Sequence, residues 1–592
     1  MHKKNAGHSN NPLFQTEKSA LERNSQTGYG LLETNVRTIL GRREVKGMGT
    51  PRQSKIFEAM QRPDFYPHPV TAVDEQETHI SKVFLTGHYV YKVKKPVNLG
   101  FLDFTTLRKR KHFCEQEVIL NRRLTQDVYL DVVAITHKDG QYHLAGPGIP
   151  VEYAVKMRQL PEESSMFTLL QEGKLDVHVL EDLAQALAAF YKRASTGGSI
   201  SSFGSQEIVR HNCEENFTQT EPFVGTILDE QQFRLVRDAT RSFLDRTGRI
   251  FQHRIASGKI RDCHGDLRTG HIYFTDRVQI IDCIEFNERF RYGDVASDLA
   301  FLAMDLDFSG YPEVASDLLN AYVHYTDDQD VFTVLDFYKC YRAVVRAKVN
   351  CFRLEQGGLN NKEKETLLNE THRYMELACR YATRFCRKAV WVVCGMPASG
   401  KSSIAAKLAR TLGVKVFNSD IVRKQLFGLQ PGDQMDVPFE EGIYSKEATS
   451  LTYEKLLMLA HEEIKQGHSV ILDATYSRQQ HRREVIRFAK DMDVNVIFVE
   501  CKCPEAELKK RLLERKSGSA VSDARIHHLP QLKLRFEPLN EVGSEMHICV
   551  NTEKSLGENL QQVLCRGYIL ECRQTERIIQ KIPQYMSESG ES

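Results

Sequence analysis

No run of about 18 apolar residues occurs in the 592-residue chain, which excludes a hydrophobic membrane-spanning helix. No Cys-x-x-Cys pair occurs among its 14 cysteines, and the nearest two are Cys501 and Cys503. A chain this long needs no disulfide scaffold, so the thiols are read as reduced, buried and inert. Charge of one sign is missing too. The formal net charge is +2, which argues against a globally basic nucleic-acid binder and against an acidic tail protein. The opening MHKKNAGHSNNPLF lacks the apolar core of a secretory leader, so a cytoplasmic protein is expected. No internal repeat is visible. At roughly 150 residues per domain, the length suggests about four units or two large ones.

What is present changes character along the chain. Residues 1–55 carry 10 Lys/Arg against 4 Glu with little apolar periodicity, and read as a disordered basic arm. An alternative is that the true start is Met48 or Met60. ISKVFLTGHYVYKVK (80–94) places two β-rich runs around a Thr-Gly turn, a hairpin pattern. A helical stretch follows at 107–124, then strands at VVAITHK, YHLAGPG and EYAVKMRQL. Helical patterns fill 174–195, 229–256 and 294–390, with short strands around a polar loop at 260–286. At Ala389 the style switches to alternating strands and helices: AVWVVCG, VKVFNS, HSVILDA, VNVIFVE and MHICVN. That alternation predicts a parallel sheet covered by helices. The expected organisation is an arm over 1–55, a first domain over 56–385, a second over 386–575 and a polar tail over 576–592.

GMPASGKS at 395–402 fits G-x-x-x-x-G-K-[ST], between an apolar strand and a helix-forming run. Gly395, Met396, Pro397, Ala398, Ser399, Gly400, Lys401, Ser402 and Ser403 are therefore the expected nucleotide-binding residues. Glycines let backbone N–H groups curl around phosphates, and the helix N-terminus adds positive potential. Lys401 would reach the outer phosphates, and Ser402 would ligate Mg²⁺. Asp420 and Asp473 sit at predicted strand ends, where open parallel sheets bind ligands. Asp473 would hold the hydrated Mg²⁺, and Asp420 would accept the proton of an acceptor hydroxyl; helix capping is the competing reading of each. Arg423 would bind an anionic group of the acceptor or form a solvated face. Arg511 and Arg515, spaced i, i+4, would present guanidiniums to the transferring phosphoryl. With NSDIVRKQL and ILDATYSRQQHR, these segments make residues 390–540 resemble the P-loop kinase branch that includes polynucleotide kinase and zeta-toxin-like enzymes. The resemblance implies transfer of a phosphoryl group from ATP or GTP to a hydroxyl.

CHGDLRTGHIYF (263–274) followed by VQIIDCIEF (278–286) resembles the catalytic and metal-binding segments of aminoglycoside phosphotransferases and their protein-kinase-like relatives. The resemblance implies that Asp266 accepts the acceptor proton and that Asp282 holds Mg²⁺. RYGDVASDLAFLAMDL (291–306) matches the next family segment, with Asp294 and Asp298 as structural residues orienting the catalytic loop. Upstream, the resemblance implies that Lys92 grips the nucleotide phosphates and that Glu117 is its helix partner. Lys94 and Glu115 compete for those two roles. The departures are His271 at the position expected to be Asn, Asp-Cys-Ile at the metal strand, and no Gly-rich loop before Lys92. His271 thus stands where a second metal ligand is expected, although imidazole suits softer metals than Mg²⁺.

KKPVNLGFLDF, CHGDL, IIDCIEFN, DVASDLAFLAMDL and the second-domain P-loop together make residues 57–545 resemble one bacterial family. It is labelled bifunctional aminoglycoside phosphotransferase/ATP-binding protein. The fold implied is multidomain: a protein-kinase-like α+β domain, then an α/β P-loop NTPase domain with a parallel sheet. The expected activity is an ATP-dependent phosphotransferase acting on a small-molecule hydroxyl. Two alternatives stay open. One is a regulator with a pseudo-kinase lobe and an ATPase switch. The other is a kinase of nucleotides or nucleic acid, with the basic arm making salt-sensitive contacts.

Overall fold

The computed structural model describes residues 51–78, 80–100, 102–433, 440–514 and 525–579. Residues 1–50, Arg515 and residues 580–592 lie outside the described residues. The chain packs as two units. One holds Met1–Ser195, Arg261–Gly293 and Lys348–Asn360; the other holds Thr196–Ile260, Asp294–Ala347 and Asn361–Ser592. No helix among the described residues is long and apolar enough to cross a membrane.

The first unit is built on a six-stranded antiparallel sheet: β1 (Asp74–Glu77), β2 (Ser81–Leu85), β3 (Tyr89–Lys94), β4 (Tyr129–Lys138), β5 (Gln141–Leu144) and β6 (Ile149–Arg158). Their order is β1-β2-β3-β6-β4-β5. Alternation along β3 divides its side chains between the two faces. Tyr91 and Val93 join Phe84, Ile135 and Ala154 on one face. Val90 joins Val83, Val155 and Met157 on the other, under Cys114 and Val118 of the helix Leu107–Asn121. Lys92 and Lys94 share the parity of Val90, so the strand period carries both ammoniums to the helix side. Thr106 caps that helix, its side chain accepting from the Lys109 N–H. After β7 (Ile260–Asp262) comes a polar loop, then the short antiparallel hairpin β8 (Ile272–Phe274) and β9 (Val278–Ile280), then β10 (Tyr292–Asp294).

The expected arm ends sooner than its composition suggests. Residues 51–60 form a helix, Pro51–Met60. Ile56, Ala59 and Met60 of that helix pack on the sheet face of Tyr91. Gln53 is buried, its Nε2 donating to the Lys94 carbonyl at 2.9 Å and to Glu152 at 3.0 Å. Within 51–55, Gln53 is thus tied down by burial, and the charges of Arg52 and Lys55 beside it concealed this in sequence.

The second unit contains a parallel five-stranded sheet: β11 (Ala389–Cys394), β12 (Lys415–Asn418), β13 (Val470–Asp473), β14 (Asn495–Lys502) and β15 (His547–Asn551). Its order is β12-β13-β11-β14-β15. Both faces are covered, which is why its strands read as continuous apolar runs. Ile404, Leu408, Leu560 and Val563 pack on one face, from the helices Lys401–Leu412 and Leu556–Ile579. Tyr453, Leu456, Val485 and Ala489 pack on the other, from the helices Lys446–Lys465 and Gln479–Asp491. The helix Leu556–Ile579 runs past the expected tail boundary at 576, because Glu576 pairs with Arg384 at 2.7 Å. Among the helices preceding β11, buried Arg254 grips Asp294 at 2.6 Å and Asp328 at 2.7 Å. Asp294 also caps the helix Val295–Phe308. It is structural as expected, but its partner is Arg254.

Candidate functional site

The loop between β11 and the helix Lys401–Leu412 is shaped by its backbone. Gly395 has φ +132°, and a Cβ there would stand 2.4 Å from the Cys501 carbonyl oxygen, so only glycine fits. Lys401 Nζ donates back across the loop to the Met396 carbonyl at 2.8 Å. A cavity of about 620 Å³ opens beside it, lined by Met396, Pro397, Ala398, Lys401 and Ser402 from this segment. Gly395, Ser399 and Gly400 build the turn behind that wall, and Ser403 lies on the helix.

Parallel pairing of β12 and β13 sets Asn418 opposite Asp473. Asn418 Nδ2 donates to Asp473 Oδ2 at 2.6 Å, while Asp473 Oδ1 is buried with no hydrogen-bond partner among the described residues. Burial pushes the Asp473 carboxyl up, and Lys401 and Ser402 pull it part of the way back. Asn418, not Asp420, caps the helix Ser419–Leu426, its Oδ1 accepting from the Asp420 N–H at 3.0 Å and the Ile421 N–H at 3.2 Å. The capping reading of Asp420 therefore falls away. Asp420 lines the cavity with Asp473. Arg423 lines it too, donating from Nη1 to Asp420 Oδ1 at 3.1 Å.

Arg511 is held differently from the expectation. It is not among the residues lining the cavity. Its guanidinium donates to the Thr552 carbonyl at 2.8 Å, to Glu507 at 2.8 Å and to the Ala398 carbonyl at 3.4 Å. Those bonds tie the helix Glu505–Glu514 to the back of the loop, because the side chain finds carbonyl acceptors there before it reaches the cavity. Several lining residues were missed from sequence: Asn418, Tyr444, Lys446, Arg478, His481 and Arg535. They come from separate segments and share no linear motif.

In the first unit, the expected front site assembles around Glu117. Lys92 Nζ lies 2.9 Å from Glu117 Oε1 and 2.6 Å from Asp282 Oδ1. Lys94 Nζ lies 2.7 Å from Glu117 Oε2 and also pairs with Glu285. Both lysines thus share Glu117, while Glu115 faces solvent near Lys111. Burial alone would push the Lys92 ammonium down, but Asp282 and Glu117 hold it well above the usual lysine range. Burial would likewise push Glu117 up; Lys92 and Lys94 pull it below the usual carboxylate range. Asp282 adopts a left-handed backbone, φ +65°, a conformation Asp tolerates better than most residues. Its N–H donates to the Tyr129 hydroxyl at 3.1 Å.

Asp266 is buried and clasped by Arg268, whose Nε and Nη2 donate to its two oxygens at 2.9 and 3.2 Å. His264 braces the same loop: its Nε2 donates to the Ile281 carbonyl at 2.9 Å, and its Nδ1 accepts from the Asp266 N–H at 3.2 Å. His271 does not fit the expected metal role. Its Nδ1 bonds the Asp266 carbonyl at 2.9 Å and its Nε2 meets Arg268 Nη2 at 3.1 Å, so both ring nitrogens are used. Burial, then Arg268, pushes its imidazole down. No group of three or more potential metal ligands of the His, Cys, Asp and Glu types occurs among the described residues.

Residues 143–336 match the phosphotransferase enzyme family, and residues 390–539 match an AAA domain. An uncharacterized protein of Mycobacterium tuberculosis is 31% identical over 466 residues, covering 78% of this chain and 90% of that one. The human 6-phosphofructo-2-kinase/fructose-2,6-bisphosphatase 1 is 29% identical over 167 residues, covering 25% of this chain and 35% of that one. A choline/ethanolamine kinase family protein from Mesorhizobium loti is similar in structure at 11% identity, with a TM-score of 0.34, covering 55% of this chain and 98% of that one. The two matched domains define a kinase-like phosphotransferase. The chain belongs to the two-domain family in which an aminoglycoside-phosphotransferase-like domain precedes a P-loop kinase-like domain.

Proposed function

We propose that the protein transfers the γ-phosphoryl group of ATP to a hydroxyl of a small molecule, with the P-loop site as the seat of the chemistry. The observation that carries this reading is the convergence of Lys401, Ser402, Asp420, Arg423 and Asp473 on one cavity. Lys401 binds the outer phosphates, and Asp420 takes the acceptor proton as the oxygen–phosphorus bond forms and ADP leaves. The orphaned, buried Oδ1 of Asp473 and the Ser402 hydroxyl fit a cation. Mg²⁺ held there would supply charge neutralisation of the phosphates. Lys92, Glu117, Asp266 and Asp282 form a second nucleotide site in the front lobe. GTP is the alternative donor, and nucleotides or nucleic acid are the less favoured acceptors.

A second reading, a nucleotide-dependent regulator, rests on one observation: Arg268 already occupies both oxygens of Asp266. Labelled γ-phosphoryl transfer decides between them. Wild type, Lys401→Ala and Asp266→Ala are offered aminoglycosides, sugars, nucleosides and oligonucleotides. Loss of transfer in Lys401→Ala upholds the proposal. Label lost only in Asp266→Ala would move the chemistry to the front lobe. ATP hydrolysis with no acceptor labelled would leave the regulator.

A further inference from the structure

Resting on the reading of the P-loop site as a phosphotransferase, we infer that its acceptor carries an anionic oxygen group, a carboxylate or a phosphate monoester, seated on Arg423 and Lys446 beside Asp420. Arg423 is 7% exposed yet lines the cavity. Its one side-chain hydrogen bond is the 3.1 Å donation to Asp420, and its Nε is buried with no partner among the described residues. Tyr444 lies under the guanidinium, 4.8 Å from its ring centroid, which holds the fork in place. A buried guanidinium donor without a partner is costly unless a ligand completes it.

The second cation comes from a different element. Lys446 opens the 20-residue helix Lys446–Lys465, which Ser445 caps by accepting from the Ala448 N–H at 3.2 Å. Lys446 lines the same cavity and is exposed, with Glu447 beside it as an electrostatic neighbour. Thr449 and Ser450, in the first turns of this helix, line it as well. The N-terminal end of the helix dipole therefore adds to the charge of Lys446.

The acids on the remaining wall do not cancel this field. Glu537 is engaged by Arg478 at 2.9 Å, and Glu440 pairs with Arg535. Each of these acids is neutralised by its own arginine. Arg423 is paired with Asp420 through Nη1 at 3.1 Å but keeps its Nε unpartnered among the described residues; with Lys446 it lines the cavity, and Asp420 is adjacent to receive a proton from a hydroxyl close to the anion. Hydroxy acids and sugar phosphates have this pattern. Polycationic aminoglycosides do not, and the two cations repel them.

The test has a binding arm and a turnover arm, both on the full chain. In the first, inorganic sulfate is titrated calorimetrically into protein saturated with Mg²⁺ and a non-hydrolysable ATP analogue, which keeps sulfate off the nucleotide loop. Saturable binding is expected, at least tenfold weaker in Arg423→Gln and in Lys446→Gln and retained in Lys446→Arg. Lys446 is exposed, so its variants report even where Arg423→Gln disturbs folding. In the second arm, labelled transfer is measured to hydroxy acids, sugar phosphates, neutral polyols and aminoglycosides. Label in either anionic group, with a raised acceptor KM in Lys446→Gln, supports the inference and shows which anion is used. Unaltered sulfate affinity in both Gln variants overturns it, as does transfer to aminoglycosides or neutral polyols at rates matching the anionic acceptors. Sulfate binding as expected with no acceptor labelled would defeat the phosphotransferase reading while upholding the anion seat.

Discussion

In the front site charged groups meet protein partners, whereas in the P-loop site several wait for one. Lys92 touches both Glu117 and Asp282, Lys94 touches Glu117 and Glu285, and Arg268 clasps Asp266. In the P-loop site Asp473 Oδ1 and Arg423 Nε have no partner among the described residues, and Lys401 leans on a neutral carbonyl. The front-site ion pairs are buried, a setting where the penalty for leaving a charge unpaired is large. A ligand entering the P-loop site completes groups already desolvated by the fold. The same residue types thus form a closed ion-pair network in one place and leave buried atoms unpartnered among the described residues in the other.

The largest expected effect tests the front network. Lys94→Met leaves Glu117 and Glu285 buried without that cation and is expected to cost about 3–5 kcal/mol in urea unfolding. Lys446→Met, at an exposed position, is expected to stay within about 0.5 kcal/mol of wild type. Equal costs would abolish the contrast between the regions. Next comes Lys401→Ala, expected to lower phosphoryl transfer about 10²–10³-fold while the unfolding curve hardly moves. A transfer rate that hardly drops would show that the P-loop site is not the reacting one. Arg268→Ala removes the clasp on Asp266 and is expected to cost about 1.5–3 kcal/mol, the range for hydrogen bonds to charged groups. If stability is unchanged and nucleotide binding appears in the front lobe, Arg268 acts as a gate and not as a brace.

Two further effects concern pH and have opposite signs in the two units. Burial, then His271, pushes the His264 imidazole down to about 3. Between that value and the ordinary histidine value of about 6.5, the unfolded chain binds more protons than the folded one. This contribution is therefore present above about pH 6.5 and lost as pH falls. Burial, then Asp336, pushes the Glu571 carboxyl up to about 8. From the ordinary glutamate value of about 4.3 up to there, the folded chain holds the extra proton, so stability falls as pH rises. Hydrogen exchange of peptides from each region, read at about pH 5.5 and about pH 8.5 and corrected for intrinsic rates, checks both slopes. In Glu571→Gln the alkaline loss is expected to vanish; its persistence would assign that slope to another group.

Much of the molecule was legible before any coordinates. The hairpin at 80–94 is β2 and β3, and the five apolar runs after Ala389 are the five strands of the parallel sheet. The loop at 395–402 sits between strand and helix, and Asp420 and Asp473 line the cavity beside it. These features are local: a period, a glycine constraint or a strand end announces each. The clasp of Arg268 on Asp266 was not announced, although the two residues are close in sequence. Neither was the sharing of Glu117 by two lysines, which left Lys92 and Lys94 as rivals when both take part. The helix at 51–60 was concealed by surrounding charge. The bonds of Arg511 to Thr552, Glu507 and Ala398 were not announced either, because helix spacing says which residues share a face, and not what that face meets.

Sequence by itself determined the class of this protein: a kinase-like phosphotransferase domain followed by a P-loop kinase-like domain with a parallel sheet. It could do so because backbone conformation and strand or helix burial leave short-range patterns. Tertiary structure alone decided which charges are satisfied. Whether Arg423 keeps its Nε unpaired among the described residues while Lys92 meets two acids depends on groups brought in by packing, Asp282 lying 190 residues beyond Lys92. Ion pairing at such separations is set by packing distance, and no local pattern records it.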